Sequence, residues 1–156
     1  MTPRLDYFKA APQATAGLRE LERYVHGCGL EPPLLELVKT RASQINGCAH
    51  CLDMHTKDAR AAGETEQRLY TLCAWRETPL FSDRERAALA WTEAVTRIAD
   101  GPLEDELYAE LKRHFSEKEI VDLTIAIVAI NGWNRLAVPF RAEVGSYKPR
   151  AEAARA

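Results

Sequence analysis

The sequence has no extended run of basic residues. Lysine and arginine together number 21 against 23 acidic residues, which gives a net charge of −2. Nor are basic side chains concentrated along one face of any predicted helix. Proteins that bind nucleic acid usually carry such a basic patch, because it neutralises the phosphates. The composition therefore argues against nucleic acid as a partner.

A segment that could direct the chain to a membrane is also missing. Residues 1–6 lack the apolar core of a signal peptide. The longest nearly continuous apolar run, residues 120–130, is shorter than the roughly 20 residues that a spanning helix needs. We interpret this run as a buried helix, and we expect a cytoplasmic protein with no membrane partner.

The alternation of apolar and polar residues that is typical of strands does not occur either. Apolar residues recur instead at helical spacing, as they do over residues 18–28. Ser82 and Ser116 are each followed three residues later by glutamate, which is the pattern of a capping box at a helix start. There is no linker, repeat or low-complexity tract. We predict an all-α fold with a single domain over residues 1–156.

Prolines and glycines predict where the helices are interrupted. Pro3 and Pro12 predict an irregular segment over residues 1–14. Pro139 and Gly145 predict an irregular tail near the other end of the chain.

Four cysteines are present, and two of them lie three residues apart in the segment Gly47-Cys48-Ala49-His50-Cys51-Leu52-Asp53-Met54-His55. In a reducing compartment, this number of cysteines indicates redox chemistry or metal binding rather than a disulfide framework. Helical winding places one cysteine-containing stripe toward the interior. Its predicted members are Cys48, Cys51, Leu52, His55, Ala59 and Ala62. The predicted solvent-facing members are His50, Asp53, Lys57 and Arg60.

A cysteine pair at a helix start is suited to reversible disulfide chemistry. The positive end of the helix dipole stabilises a thiolate, which favours Cys48 as the nucleophile. His55 lies four residues after Cys51 and seven after Cys48, so as a general base it favours Cys51. A disulfide with such a small ring restricts the unfolded chain very little, and a purely structural role is therefore not expected.

Other interpretations of these residues remain open. Two thiols and an imidazole are three zinc ligands, although no second Cys-x-x-Cys or His-x₃-His follows. His55 could be an ordinary buried histidine. Haem attachment is excluded, because Leu52 follows the second cysteine. Cys28 and Cys73 lie on apolar helical faces and read as small core residues.

Helical spacing alone does not nominate Glu36 as a site residue. Winding groups it with Lys39, Thr40 and Ser43, away from the apolar stripe of its own helix. By this criterion Glu36 is a solvated glutamate. The tryptophans Trp75, Trp91 and Trp133 are expected in the core or in an interface.

Glu36, Cys48-Ala49-His50-Cys51 and His55 together resemble the signature of the alkylhydroperoxidase AhpD-like proteins. These proteins belong to the carboxymuconolactone decarboxylase superfamily. The flanking residues 41–47 and 56–60 and the segments 74–79 and 131–137 resemble the same family. The resemblance thus extends over most of the chain.

The resemblance implies an all-helical fold and a thiol-dependent peroxidase that acts in antioxidant defence. Cys51 corresponds to the cysteine that attacks the peroxide, and Cys48 to the resolving cysteine. His55 corresponds to the histidine of a proton relay, and Glu36 to the carboxylate that hydrogen-bonds within it. His50 corresponds to the family's intervening histidine, although helical winding turns it outward.

The family also implies the reaction partners. These are a hydroperoxide substrate, a dithiol reductant (a small molecule or a redox protein), and further copies of the chain in a dimer or a higher assembly such as a hexamer. No cofactor or metal is expected. Decarboxylase members lack the cysteine pair, so lactone decarboxylation is the weaker alternative. A redox sensor or disulfide-exchange module without efficient turnover is the other.

Overall fold

The computed structural model describes residues 2–149, and every described element of secondary structure is helical. This confirms the predicted all-α fold. Residues 1 and 150–156, which the predicted domain includes, lie outside the described residues. The α-helices are α1 Tyr7–Ala10, α2 Pro12–Gly27, α3 Pro32–Asn46, α4 Ala49–Ala61, α5 Glu66–Thr71, α6 Asp83–Thr96, α7 Asp105–His114 and α8 Glu117–Phe140. Two 3₁₀-helices cover Leu72–Glu77 and Ile98–Asp100.

Local sequence signals set most of the helix boundaries. Ser82 and Ser116 both form the predicted capping boxes, with the serine and glutamate side chains each bonded to the other residue's backbone N–H. Gly47 ends α3 with a φ of 65°, a left-handed conformation that glycine adopts without a steric penalty. This turn folds α4 back onto α3.

The prolines near the two ends of the chain do not have the predicted effect. Instead of preventing a helix, Pro12 begins α2, because the first helical position needs no N–H donor and suits the fixed φ of proline. Asp6 caps the short helix α1 by accepting hydrogen bonds from the amides of Phe8 and Lys9. Pro139 lies inside the last turn of α8, which ends at the next residue, Phe140. Residues 2–6 are irregular as predicted, but the prediction is wrong for residues 7–10 and 12–14, which are helical. The predicted irregular tail is confirmed over residues 141–149, although Pro139 itself lies in the helix.

Helix α8 is the apolar helix at the centre of the fold. It is 24 residues long, because the helix continues beyond the apolar run of residues 120–130. With a mean hydropathy of 1.3, it is long and apolar enough to cross a membrane by length and composition alone. In the structure it packs against α2, α3 and α6. Its residues Leu123, Ala126, Ile127 and Ala129 are completely buried there. This packing accounts for its apolar composition as that of a core helix.

Helix α3 is also packed on more than one side, because it contacts α4, α6 and α8. Its apolar residues Leu35 and Val38 belong to the largest core cluster. The opposite, polar side meets α4. The two tryptophans Trp75 and Trp91 are buried as predicted, and Trp133 is half-buried.

Candidate functional site

Cys48 and Cys51 lie together at the buried start of α4. Each is only 1% exposed, and their sulfur atoms are 2.6 Å apart. Cys48 is the N-cap residue, and its sulfur accepts a hydrogen bond from the backbone N–H of Cys51 at 3.4 Å. The spacing thus brings the two thiols together, as the sequence predicts.

The two thiols ionise differently because each affects the other. The hydrogen bond from Cys51 lowers the pKa of Cys48 to about 7, against the opposing effect of burial, and backbone N–H groups of the helix start contribute. The pKa of Cys51 is raised by its hydrogen bond to Cys48, by burial and by the charge of Cys48. When the pair loses its first proton, the negative charge therefore lies mainly on Cys48.

His55 forms a hydrogen-bonded pair with Glu36. The distance between His55 Nδ1 and Glu36 Oε2 is 2.9 Å, and the two side chains are 6% and 14% exposed. Because a carboxylate only accepts hydrogen bonds, Nδ1 is the donor and Nε2 is the nitrogen left for chemistry. Within the described residues, no direct hydrogen bond joins His55 to either thiol.

The interpretation of Glu36 as a solvated residue is wrong. The polar face of α3 that contains it is buried, because α4 covers it. Lys39, Thr40 and Ser43 on this face are at most 1% exposed, and Lys39 forms an ion pair with Glu22 of α2. A helix packed on several sides buries polar residues that its own amphipathic pattern assigns to solvent.

Two polar residues next to the thiols are not predicted as site residues. Asn134 of α8 and Ser43 of α3 lie beside Cys51, and both lower its pKa. Asn134 also lowers the pKa of Cys48. Asn134 in turn donates a hydrogen bond to Ser43 at 3.2 Å and accepts one from Asn46 at 2.8 Å. One feature of the sequence could have identified Asn134, because it is a polar residue within the apolar sequence of α8. A buried amide needs hydrogen-bond partners.

The outward-facing residues of α4 are covered by a C-terminal segment, residues 142–149. His50 Nδ1 is 2.5 Å from the backbone oxygen of Glu143, and the amide of Gly145 donates to Asp53 at 3.0 Å. Lys57 bonds to Asp53 and to backbone oxygens of the segment.

His50 does point away from the thiols, as winding predicts, but most of this face is not fully solvated. Ala62 and Arg60 are exposed, so the prediction that Ala62 is buried is wrong.

Asp58 joins this segment to the neighbourhood of the histidine. The hydroxyl of Tyr147 donates to both carboxylate oxygens of Asp58, at 2.8 and 2.9 Å, and burial raises the pKa of Asp58.

Potential metal-binding atoms of Glu36, His55 and Asp58 lie within 4.8 Å of one another. Hydrogen bonds already occupy these groups, and we assign them to a polar cluster. Within the described residues, the predicted zinc alternative of two cysteines and His55 is not among the possible metal groups.

The other two cysteines do not join the pair. Cys28 is half-buried against the main core cluster, which agrees with its predicted role. Cys73 is exposed, so its assignment to the core is wrong. It lies in the 3₁₀-helix Leu72–Glu77, where three residues per turn rotate side chains away from the positions that α-helical winding predicts.

The fold and the paired thiols define an all-helical dithiol protein. Residues 9–94 match the model of the carboxymuconolactone decarboxylase family, which is more than half of the chain. The chain therefore belongs to this family, and within the superfamily it is AhpD-like. The matched residues include both cysteines, His55 and Glu36, whereas Asn134 lies outside them.

Similar proteins support this assignment. Protein YdfG of Bacillus subtilis is 43% identical over 138 residues, which cover 88% of this chain and 94% of YdfG. A protein of unknown function from Agrobacterium tumefaciens, for which a role as the antioxidant defence protein AhpD has been suggested, is 46% identical. Its structure has a TM-score of 0.90, with 94% of this chain and all of the other covered.

The same fold also supports a different chemistry. The debrominase Bmp8 is 18% identical, and its structure has a TM-score of 0.79 over 89% of this chain and 75% of Bmp8. At this identity the likeness concerns the fold alone. The residues of the site, rather than the fold, therefore determine the reaction.

Proposed function

We propose that this protein is a thiol-dependent peroxidase that reduces hydroperoxides through Cys48 and Cys51. The family supports an antioxidant or peroxidase-related role in general. The observation that carries the specific proposal is the buried pair of sulfurs 2.6 Å apart, beside a histidine that is held by a carboxylate. Such a site can both oxidise a thiol and trap the product as a disulfide.

In the proposed first step, Cys51 attacks the peroxide. The proton between the two sulfurs moves to Cys48, which transfers the negative charge to Cys51. The Cys51 sulfur then bonds to the terminal peroxide oxygen, and the O–O bond breaks. The leaving oxygen takes a proton, which His55 supplies in its protonated form while Glu36 stabilises the imidazolium. The products are a sulfenic acid on Cys51 and an alcohol or water.

In the proposed second step, Cys48 attacks the sulfenic acid. The Cys48 thiol loses its proton, and hydrogen bonds from backbone N–H groups at the start of α4 stabilise the thiolate that forms. The S–S bond forms and hydroxide leaves as water after protonation. A dithiol reductant then restores both thiols by exchange, and it is itself oxidised to a disulfide.

A peroxide-consumption assay with excess dithiothreitol tests this function. We expect repeated turnover by the wild type, whereas Cys48→Ser and Cys51→Ser should each abolish it. Cys73→Ser is the matched control, because this exposed thiol has no part in the proposed reaction. Sustained turnover by Cys51→Ser would contradict the proposal.

The proposed disulfide can be located independently of turnover. After treatment with hydrogen peroxide and alkylation, mass spectrometry should show an intramolecular bond between Cys48 and Cys51. Cys28 and Cys73 should be alkylated. A dominant disulfide that includes Cys28 or Cys73 would overturn the site assignment.

One observation favours a redox sensor as the second candidate. Both thiols are only 1% exposed, which restricts the access of a bulky reductant. A sensor would react with peroxide once and then persist as a disulfide. In the assay above, a single stoichiometric reaction without turnover would select this alternative.

We also propose a cytoplasmic homo-oligomer, with residues 1–156 as one domain. Several apolar side chains of α8 remain exposed, among them Val121 at 58% and Val128 at 48%. A second copy could cover such residues, and most soluble oligomers associate through identical copies with closed symmetry. Sedimentation at micromolar concentration should show a dimer or a higher assembly. A clean monomer would contradict this part of the proposal.

A further inference from the structure

The hydroxyl of Thr40 has no hydrogen-bond partner among the described residues. Thr40 is completely buried, and its Oγ1 is the single buried side-chain oxygen or nitrogen in the described part of the chain that lacks one. Buried hydroxyls are normally hydrogen-bonded, because leaving one unpaired opposes folding. An exception of this kind in a polar site calls for an explanation.

The Thr40 hydroxyl does not use the hydrogen-bond acceptor that its own helix offers. Threonine in a helix commonly donates to the carbonyl four residues earlier. Thr56, Thr92 and Thr124 all do so in this protein, each at 2.7 Å. The Thr40 hydroxyl makes no such bond to the carbonyl of Glu36.

The position of Thr40 places it opposite the reacting groups. On α3 it lies one turn after Glu36 and one turn before Ser43, on the same face. Glu36 hydrogen-bonds to His55 on α4, whereas Ser43 lies beside Cys51 and lowers its pKa. Thr40 therefore lies opposite the part of α4 between Cys51 and His55. No direct hydrogen bond connects Cys51 to His55 there.

We propose that the Thr40 hydroxyl is a catalytic residue that hydrogen-bonds to the peroxide at Cys51. This inference rests on the proposed peroxidase function and adds a group that orients the substrate. When the Cys51 sulfur attacks the terminal oxygen, negative charge develops on the other oxygen as the O–O bond breaks. The Thr40 O–H donates to that oxygen while the proton comes from His55. A donor that is already in place at a developing charge accelerates the step.

Thr40→Val tests this role because it replaces the hydroxyl with a methyl group of similar shape. Stopped-flow oxidation of Cys51 by hydrogen peroxide should slow by about tenfold or more, the size expected for loss of a hydrogen bond to a developing charge. Alkylation of Cys51 by iodoacetamide needs no oxygen to be oriented, and Thr40→Val should leave its rate unchanged. This alkylation is measured in the Cys48→Ser background, so that the lower-pKa thiol of Cys48 does not react instead. Thr40→Ser keeps the hydroxyl and should restore most of the peroxide rate. Thr92→Val is the matched control, since it removes a buried threonine hydroxyl whose partner is the carbonyl of Ala88.

The alternatives give different results. If the hydroxyl is only an unpaired group, Thr40→Val should raise the urea midpoint of unfolding and leave the peroxide rate unchanged, which would overturn the proposal. If peroxide oxidation and alkylation slow equally, the hydroxyl acts on the thiol rather than on the peroxide, and the proposal also fails. A wild type that does not react with peroxide would reject the peroxidase function, and the role of Thr40 with it. A reactive wild type with an unaffected Thr40→Val rejects the role of Thr40 alone.

Discussion

The two faces of α4 have different neighbours although they belong to one helix. The inner face, Cys51, His55 and Ala59, is buried against α3 and α8. The outer face, His50, Asp53 and Lys57, is covered by the C-terminal segment through hydrogen bonds to its backbone. Each face thus contains one histidine. His55 is paired with a buried carboxylate, whereas His50 meets a backbone oxygen.

This difference shows what gives a histidine a chemical role in this fold. A carboxylate fixes the tautomer of His55 and stabilises its charged form, which proton transfer requires. A backbone carbonyl can orient His50 but has no charge to stabilise an imidazolium. We therefore expect chemistry on the inner face and attachment of the C-terminal segment on the outer face.

The largest expected effect comes from the two inner thiols. Cys48→Ser should still form a sulfenic acid at Cys51 that a dimedone probe can trap, since the resolving thiol is missing. Cys51→Ser should abolish this species. The lower pKa of Cys48 favours the opposite order, so this experiment decides which cysteine attacks the peroxide. If Cys48 in Cys51→Ser reacts with peroxide as fast as the wild type, the roles of the two cysteines are reversed.

A smaller effect is expected when the two histidines are compared directly. His55→Ala should slow sulfenic acid formation by at least about tenfold, the lower part of the usual range for acid–base catalysis. His50→Ala should change this rate less than about threefold, because it removes only an outer-face contact. The measurement is the rate of thiol oxidation at equal peroxide concentration. Equal losses in both variants would remove the distinction between the faces.

The pH dependence sharpens the comparison within the inner face. In the wild type, the thiolate absorbance should appear with a midpoint of about 7, because the hydrogen bond from Cys51 lowers the pKa of Cys48. A lowered pKa means that the thiolate is lost as the pH falls through this midpoint. In Cys51→Ala the midpoint should rise toward the ordinary value of 9.0. An unchanged midpoint would show that the helix start alone stabilises the thiolate.

The smallest effect is expected where the C-terminal segment contacts Asp58. Tyr147→Phe removes the hydroxyl that donates to both oxygens of Asp58. We expect a loss of about 1 kcal/mol in the free energy of unfolding, typical of one hydrogen bond, with nearly unchanged peroxide turnover. Urea denaturation measures the first quantity, and the dithiothreitol assay measures the second. Tyr70→Phe is the control, because its hydroxyl reaches an exposed partner, Glu66. A large loss of turnover in Tyr147→Phe alone would assign the Asp58 cluster to catalysis.

Much of this protein could be predicted from its sequence, because the relevant interactions are local. The capping boxes at Ser82 and Ser116 and the break at Gly47 depend on residues at most a few positions apart. The same holds for Cys48 and Cys51, whose spacing alone places them on neighbouring turns. The resemblance to AhpD-like proteins added Glu36, which helical winding had assigned to solvent.

Only the tertiary structure decided which polar faces are buried and what they meet. The polar side of α3 faces α4 because α3 is packed on several sides. Glu36 therefore reaches His55, and the Thr40 hydroxyl is buried without a hydrogen-bond partner among the described residues. Asn134 meets the thiols from α8, which is more than 80 residues away in the sequence. Periodicity measures the contrast between the faces of one helix. Contacts between helices depend on how they pack, which no single segment encodes.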